Sequence, residues 1–136
     1  MWLILEDNLQ RMQAFQEVAD AFALPQTLRL WRIASEMIGE IGPLLPNASV
    51  ISLDHDLYRH EADDPEPGTG RDVANYLAGF GPVCPVIIHS TNTDAAWGMY
   101  NELSYAKWQV ALVHHLDEPE WIQEKWLSTV RKLKAY

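Results

Sequence analysis

The period of apolar and polar positions changes repeatedly along the chain, and each change marks an element. Trp2–Leu5 (WLIL) is an unbroken apolar run and predicts a buried strand. After it, Leu9, Met12, Phe15, Ala19 and Phe22 recur at spacings of three or four, one face of a helix, with Asn8 placed to cap it. Thr27–Ile33 alternates polar and apolar residues as a half-buried or edge strand does. Ala34–Leu45 predicts a short helix, ended by Gly42-Pro43 and Pro46. Val50–Leu53 is a third strand with Asp54 at its end, followed by a polar loop from His55 to Thr69 that carries Pro65 and Pro67. Gly70–Leu77 opens a third helix, stopped by Gly79 and Gly81. Pro85–Ile88 is a wholly apolar run and predicts a central strand, covered on both faces. Asn92 caps a fourth helix with Ala95, Ala96, Met99 and Leu103 inward, Gln109–Val113 is a fifth strand, and Ile122, Trp126, Val130 and Leu133 stripe a final helix.

Strand and helix in strict alternation predict an α/β fold: a parallel five-stranded sheet with helices on both faces. Five such units suit the flavodoxin-like order 2-1-3-4-5, in which ligands bind beyond the carboxyl ends of the strands, where strands 1 and 3 diverge. At 136 residues the chain is the size of one domain, spanning 1–136, with no internal repeat or low-complexity segment.

Composition narrows the function classes. The longest apolar runs fall far short of the roughly 20 residues that cross a bilayer, and the first residues have no signal-peptide pattern; no membrane role is expected. The net charge of −9 argues against binding along extended nucleic acid, though a metal site can still hold a nucleotide or a nucleic-acid end. The single cysteine, Cys84, reads as a packed side chain and fits a reducing cytoplasm.

With that fold, strand ends map the site. Strand 1 ends in Glu6-Asp7, strand 3 in Asp54-His55-Asp56, strand 4 in His89-Ser90-Thr91-Asn92 and strand 5 in His114-His115. Each acid alone serves equally as a helix cap. Together, Glu6, Asp7 and Asp54 at neighbouring strand ends repel one another unless a cation compensates, and hard oxygen donors favour Mg²⁺ (or Mn²⁺). Asp56 is as readily a solvated residue. His89 is placed to move protons at the acidic site or to sit as a structural histidine; His55, His114 and His115 share that choice, and His60 reads as solvated loop. Ser90 and Asn92 can hold phosphate oxygens or cap helix four. Arg11, a turn into the first helix, can reach a phosphate or form a surface salt bridge. The six tryptophans read as packing residues.

Leu5-Glu6-Asp7-Asn8, Leu53-Asp54 and Ile88-His89-Ser90 resemble the response-regulator receiver domain over nearly the whole chain. The resemblance implies Mg²⁺ on Glu6, Asp7 and Asp54, a phosphoryl-accepting Asp54, and Ser90 at the hydroxyl position of strand 4. It departs at strand 5, where receivers carry a lysine and this chain has Val113-His114-His115. Asp54-His55-Asp56-Leu57, Thr69-Gly70-Arg71-Asp72-Val73-Ala74 and His89-Ser90-Thr91-Asn92 look more like the cyclic-phosphate-processing receiver domains. That resemblance implies metal-dependent hydrolysis of a cyclic phosphate, on a nucleotide or an RNA end. Asp54, His89 and His55 would act on the ester, and Ser90, Asn92 and Arg11 would hold it. The alternative is a signalling module, either a phosphoacceptor without its lysine or a pseudo-receiver. Substrate identity and oligomeric state are not legible in the sequence.

Overall fold

In the computed structural model, which describes residues 1–115 and 118–136, five four-residue strands form one parallel sheet in the order β2-β1-β3-β4-β5. They are β1 (Trp2–Leu5), β2 (Leu28–Trp31), β3 (Val50–Leu53), β4 (Val86–His89) and β5 (Val110–Val113). The connecting helices are α1 (Leu9–Ala21), α2 (Ala34–Ile41), α3 (Gly70–Ala78), α4 (Thr93–Tyr105) and α5 (Leu127–Leu133). The predicted α/β fold is therefore present, with β3 at the centre and β2 and β5 at the edges.

Side chains alternate across a strand, and each face of the sheet carries its own core. Leu3, Leu5, Ile51, Leu53, Val86 and Ile88 face the layer of α2, α3 and α4. Trp2, Ile4, Val50 and Ile87 face the layer of α1 and α5, where Phe15, Trp121, Ile122 and Trp126 fill the space. Three aromatic edge-to-face contacts join Phe15, Trp126, Trp2 and Trp121 into one cluster with ring centroids 5.0–5.9 Å apart. Cys84 packs against the opposite core, and burial pushes its thiol up to about 12. No helix among the described residues is long and apolar enough to cross a membrane.

Three elements differ from expectation. The inward face of α1 is Ala14, Phe15, Val18 and Ala19; Leu9 is 67% exposed, because the first turn of the helix overhangs the end of the sheet. The helix predicted to reach Leu45 ends at Ile41 and tightens into a 3₁₀ stretch, Gly42–Asn47, since Pro43 and Pro46 cannot supply the amides that an α-helix needs. The last helix opens with a π-helical turn, Ile122–Trp126, before becoming α-helical.

Candidate functional site

Strand parity decides which face each site residue occupies. Ile4, Ser52 and Ile87 are in register across β1, β3 and β4, so two residues further on Glu6, Asp54 and His89 leave the sheet on the α1/α5 side. One ligand atom from each of these three lies within 4.8 Å of the others. The helix above them is α1. Asn8 caps it, accepting from the Arg11 amide at 3.0 Å, and the helix turns Arg11 back over the acids.

Arg11 takes up Glu6. Its Nε donates to Glu6 Oε1 at 2.9 Å and its Nη2 to Oε2 at 3.0 Å, and Nη2 also stands 3.6 Å from Asp54 Oδ2. The amides of Asp7 and Asn8 donate to Glu6 Oε2 at 3.0 and 3.1 Å. Burial alone would raise the pKa of Glu6; His89 and Arg11 outweigh it and hold the carboxyl well below the usual range. Asp54 has the opposite fate. Its Oδ1 accepts from the His55 amide at 2.8 Å, but burial and the Glu6 charge push it up to about 8 against the partial relief of Arg11. Burial also raises Asp7, with Glu6 adding to the effect and the Tyr58 amide opposing it.

The cleft above these acids encloses about 730 Å³ and is lined by Asp7, Asn8, Leu9, Gln10, Arg11, Asp54, Asp56, Tyr58, His60, Thr91 and His115. Asp7 and Asp54 thus reach it. Glu6 and His89, expected to open into the cleft, are both 0% exposed and lie beneath its floor. His89 Nδ1 shares a 2.6 Å hydrogen bond with Ser52 Oγ, and Trp126 Nε1 donates to the same oxygen at 2.9 Å. His89 Nε2 stands 3.2 Å from Glu6 Oε1, without the alignment of a hydrogen bond. The ring packs between Phe15 and Trp121.

The polar loop after β3 is built into the site. Its base is closed by an antiparallel bridge between Asp56 and Thr69 and by the Gly70 amide on the His55 carbonyl at 3.0 Å. At its crossing of β1, the Tyr58 amide donates to Asp7 Oδ2 at 2.8 Å and His60 Nε2 bonds the Asp7 carbonyl. A carbonyl only accepts, so His60 Nε2 carries the hydrogen and a neutral ring keeps its lone pair on Nδ1. By the same reasoning the 2.7 Å contact between His55 Nδ1 and Asp56 Oδ1 leaves His55 Nε2 as the open nitrogen. Gly70 permits the close approach of α3: a Cβ there would fall 1.8 Å from the Asp54 carbonyl oxygen.

The strand-4 residues divide. Ser90 is buried and its Oγ accepts from the Asn92 amide at 3.0 Å; Asn92 caps α4 through the Ala95 amide at 3.2 Å, with its Nδ2 3.5 Å from Asp56 Oδ1. Ser90 faces a separate apolar cavity of about 240 Å³ beside His114 and Trp97, so Thr91 is the strand-4 hydroxyl residue on the cleft. The two strand-5 histidines point apart. His114 lines the smaller cavity, whereas His115 lines the cleft and stacks on Trp121 with centroids 4.0 Å apart.

Sequence reasoning alone missed Thr91, Ser52 and Trp126; it read His60 as solvated loop, and the residue is exposed, but its place on the cleft was not foreseen. Ser52 did carry a signal, as a hydroxyl inside an otherwise apolar central strand. His60 carried none, because only the course of the loop brings it back over β1.

A divalent ion is tested by the donors that remain open. Glu6 is saturated by Arg11 and two amides, and His89 is sealed. Asp7 and Asp54 face the cleft, and a raised Asp54 marks a carboxylate that lacks sufficient positive charge. Two carboxylates completed by water and substrate oxygens suit Mg²⁺ or Mn²⁺, so the residues fit such an ion at Asp7 and Asp54.

The family model for the cyclic-phosphate processing receiver domain matches residues 1–105. No curated protein matches the chain by sequence. Among solved structures, the response regulator domain of Thermotoga maritima CheB is similar at 11% identity, TM-score 0.70, with 99% of this chain and 96% of that one covered. The phosphorylated cyanobacterial phytochrome response regulator RcpA is similar at 19% identity, TM-score 0.63, with 94% of each chain covered. The Mn²⁺-bound form of response regulator Rcp1 aligns at 15% identity, TM-score 0.65, over 98% of this chain and 93% of that one. At these identities the likeness is one of fold.

Proposed function

The chain belongs to the cyclic-phosphate processing receiver family, and we propose that its cleft hydrolyses a cyclic phosphodiester with the help of Mg²⁺ or Mn²⁺. The observation that carries this reading is the meeting, in one cleft of about 730 Å³, of three carboxylates, a guanidinium and two histidines: Asp7, Asp54, Asp56, Arg11, His60 and His115. An ion bound at Asp7 and Asp54 would supply charge neutralisation on the phosphoryl oxygens. Arg11, anchored by Glu6, offers the guanidinium edge that Glu6 does not use to a further oxygen. Ring opening adds water across one P–O bond: the hydroxyl goes to phosphorus and a proton to the departing oxygen. His60, through Nδ1, would take and return that proton, a role worth roughly 10²–10⁴ in rate; His55, the other candidate from the sequence, is not among the residues that line the cleft. His89, the sequence candidate for it, is buried beneath Glu6, which supports a different role. Ser90 and Asn92 hold the start of α4 and Thr91 in place. The substrate would be a small phosphorylated molecule or a nucleic-acid end, since the net charge of −9 argues against binding along extended nucleic acid, and the single cysteine fits a reducing compartment such as the cytoplasm.

The test is a screen of purified protein with Mg²⁺ or Mn²⁺ against 2′,3′-cyclic nucleotides and simpler cyclic phosphates, alongside labelling by acetyl phosphate. Ring opening that is lost in Asp54→Asn supports the proposal. Stoichiometric phosphorylation of Asp54 with no cyclic phosphate consumed would instead make the protein a phosphoacceptor lacking its lysine.

A further inference from the structure

We propose that Trp126, Ser52, His89 and Glu6 form a buried relay that aims the Arg11 guanidinium at an oxyanion in the cleft, with His89 acting through Arg11 and not as a proton donor. The inference rests on the reading that the cleft receives a phosphoryl group.

The relay runs through the most apolar layer of the protein. Trp126 Nε1–H gives its hydrogen to Ser52 Oγ at 2.9 Å, and the only other described contact of that hydroxyl is His89 Nδ1 at 2.6 Å. The serine hydrogen therefore goes to Nδ1, which leaves the hydrogen of a neutral imidazole on Nε2, facing Glu6 Oε1 at 3.2 Å. Glu6 then meets the guanidinium along one side, Nε to Oε1 and Nη2 to Oε2. Ser52, His89 and Glu6 are each 0 or nearly 0% exposed. Polar groups set among Phe15, Trp121 and Trp126 cost stability, the more so where one such as His89 Nε2 has close contact but no aligned hydrogen bond, and apolar side chains would fill the same space without that cost. What the arrangement supplies is direction. A planar, five-donor fork pinned along one edge keeps its remaining edge at a fixed place and angle, and Arg11 does so on the cleft wall, with Nη2 3.6 Å from Asp54 Oδ2.

His89 has no route to a substrate proton. Its ring is 0% exposed, one nitrogen is engaged by Ser52, and the other looks at a carboxylate already carrying two amides and an arginine. Glu6 likewise presents no open oxygen to the cleft.

The probe is inorganic phosphate with Mg²⁺ present, its affinity read by calorimetry for wild type, Arg11→Ala, His89→Ala, Ser52→Ala and the double variants with Arg11→Ala. Removing Arg11 should weaken phosphate binding roughly 10- to 100-fold, the worth of a charge-assisted bidentate contact. His89→Ala and Ser52→Ala should each weaken it by roughly 10-fold, the lower end of what loss of an orienting partner costs. In the Arg11→Ala background they should do nothing further, because their effect passes through the missing guanidinium. Added guanidinium should restore part of the Arg11→Ala loss; imidazole should restore nothing in His89→Ala. Ser52→Ala, which removes one oxygen, carries the test if His89→Ala fails to fold. Equal losses from His89→Ala or Ser52→Ala with and without Arg11, imidazole rescue, or no phosphate binding by wild type would each overturn the relay. Phosphate binding that follows this pattern without turnover of any cyclic phosphate would overturn the proposed hydrolysis and leave the relay standing.

Discussion

Replacing Asp54 by asparagine should stabilise the metal-free protein, and the gain should grow with pH. Asp54 is 5% exposed and has its pKa pushed from 3.8 to about 8 by burial and by Glu6. A carboxyl whose folded pKa is raised binds its proton more tightly in the native state than in the unfolded chain. Its contribution is therefore neutral below about pH 4 and becomes a growing penalty as pH rises, levelling off above about 8. Each unit of pH inside that window is worth up to about 1.4 kcal/mol. Between pH 5 and pH 8 wild type should lose about 3–4 kcal/mol relative to Asp54→Asn, a ceiling reached if the pocket does not relax on ionisation. That is a large part of the roughly 5–15 kcal/mol that holds a domain of this size together, and it corresponds to a difference in Tm of roughly 10 °C. Glu6 works in the other direction and elsewhere. Its depressed pKa stabilises the fold above its ordinary 4.5, and that support is lost only as pH falls below it. Urea unfolding of both proteins in EDTA at half-unit steps from pH 5 to 8.5 measures the difference directly. If the two stability curves run parallel, Asp54 is not a strained carboxylate and the electrostatic account of the cleft is wrong.

Two other outcomes follow from the same geometry. Millimolar Mg²⁺ or Mn²⁺ should raise Tm of the wild type more at pH 8 than at pH 6, because ion and proton compete for Asp54; an equal response in Asp54→Asn would remove that carboxylate from the ion site. Gly70→Ala should cost about 1–3 kcal/mol or more and blunt the metal response, since its Cβ would fall 1.8 Å from the Asp54 carbonyl oxygen and force β3 and α3 apart; a Tm within a degree of wild type would show that this junction is looser than its contacts imply.

The alternation of apolar runs with helical stripes was enough to determine the element order and a parallel sheet, because short-range periodicity is a local property of a sequence; the 2-1-3-4-5 arrangement it suited is one of the orders such an alternation allows, and the tertiary structure selected it. The same reasoning placed Glu6, Asp7, Asp54 and His89 at the carboxyl ends of neighbouring strands, and Asn8 and Asn92 at the helix starts they cap; Arg11 it left between a phosphate contact and a surface salt bridge. Strand parity puts Ser52 and Asp54 on one face by counting, and the register between strands adds Glu6 and His89 to it. What tertiary structure decided is which of these side chains meets water. The depth of Glu6 and His89 depends on how α1 and the π-turn of the last helix close over the sheet, an outcome of packing among Phe15, Trp121 and Trp126 that no local pattern encodes. The return of His60 over Asp7 likewise depends on a loop held by long-range contacts, the Tyr58 amide on the Asp7 carboxylate, the His60 ring on the Asp7 carbonyl and the Asp56–Thr69 bridge. A histidine at a strand end therefore reads in sequence as a group in the cleft, and becomes a buried strut only when the layer above it is in place.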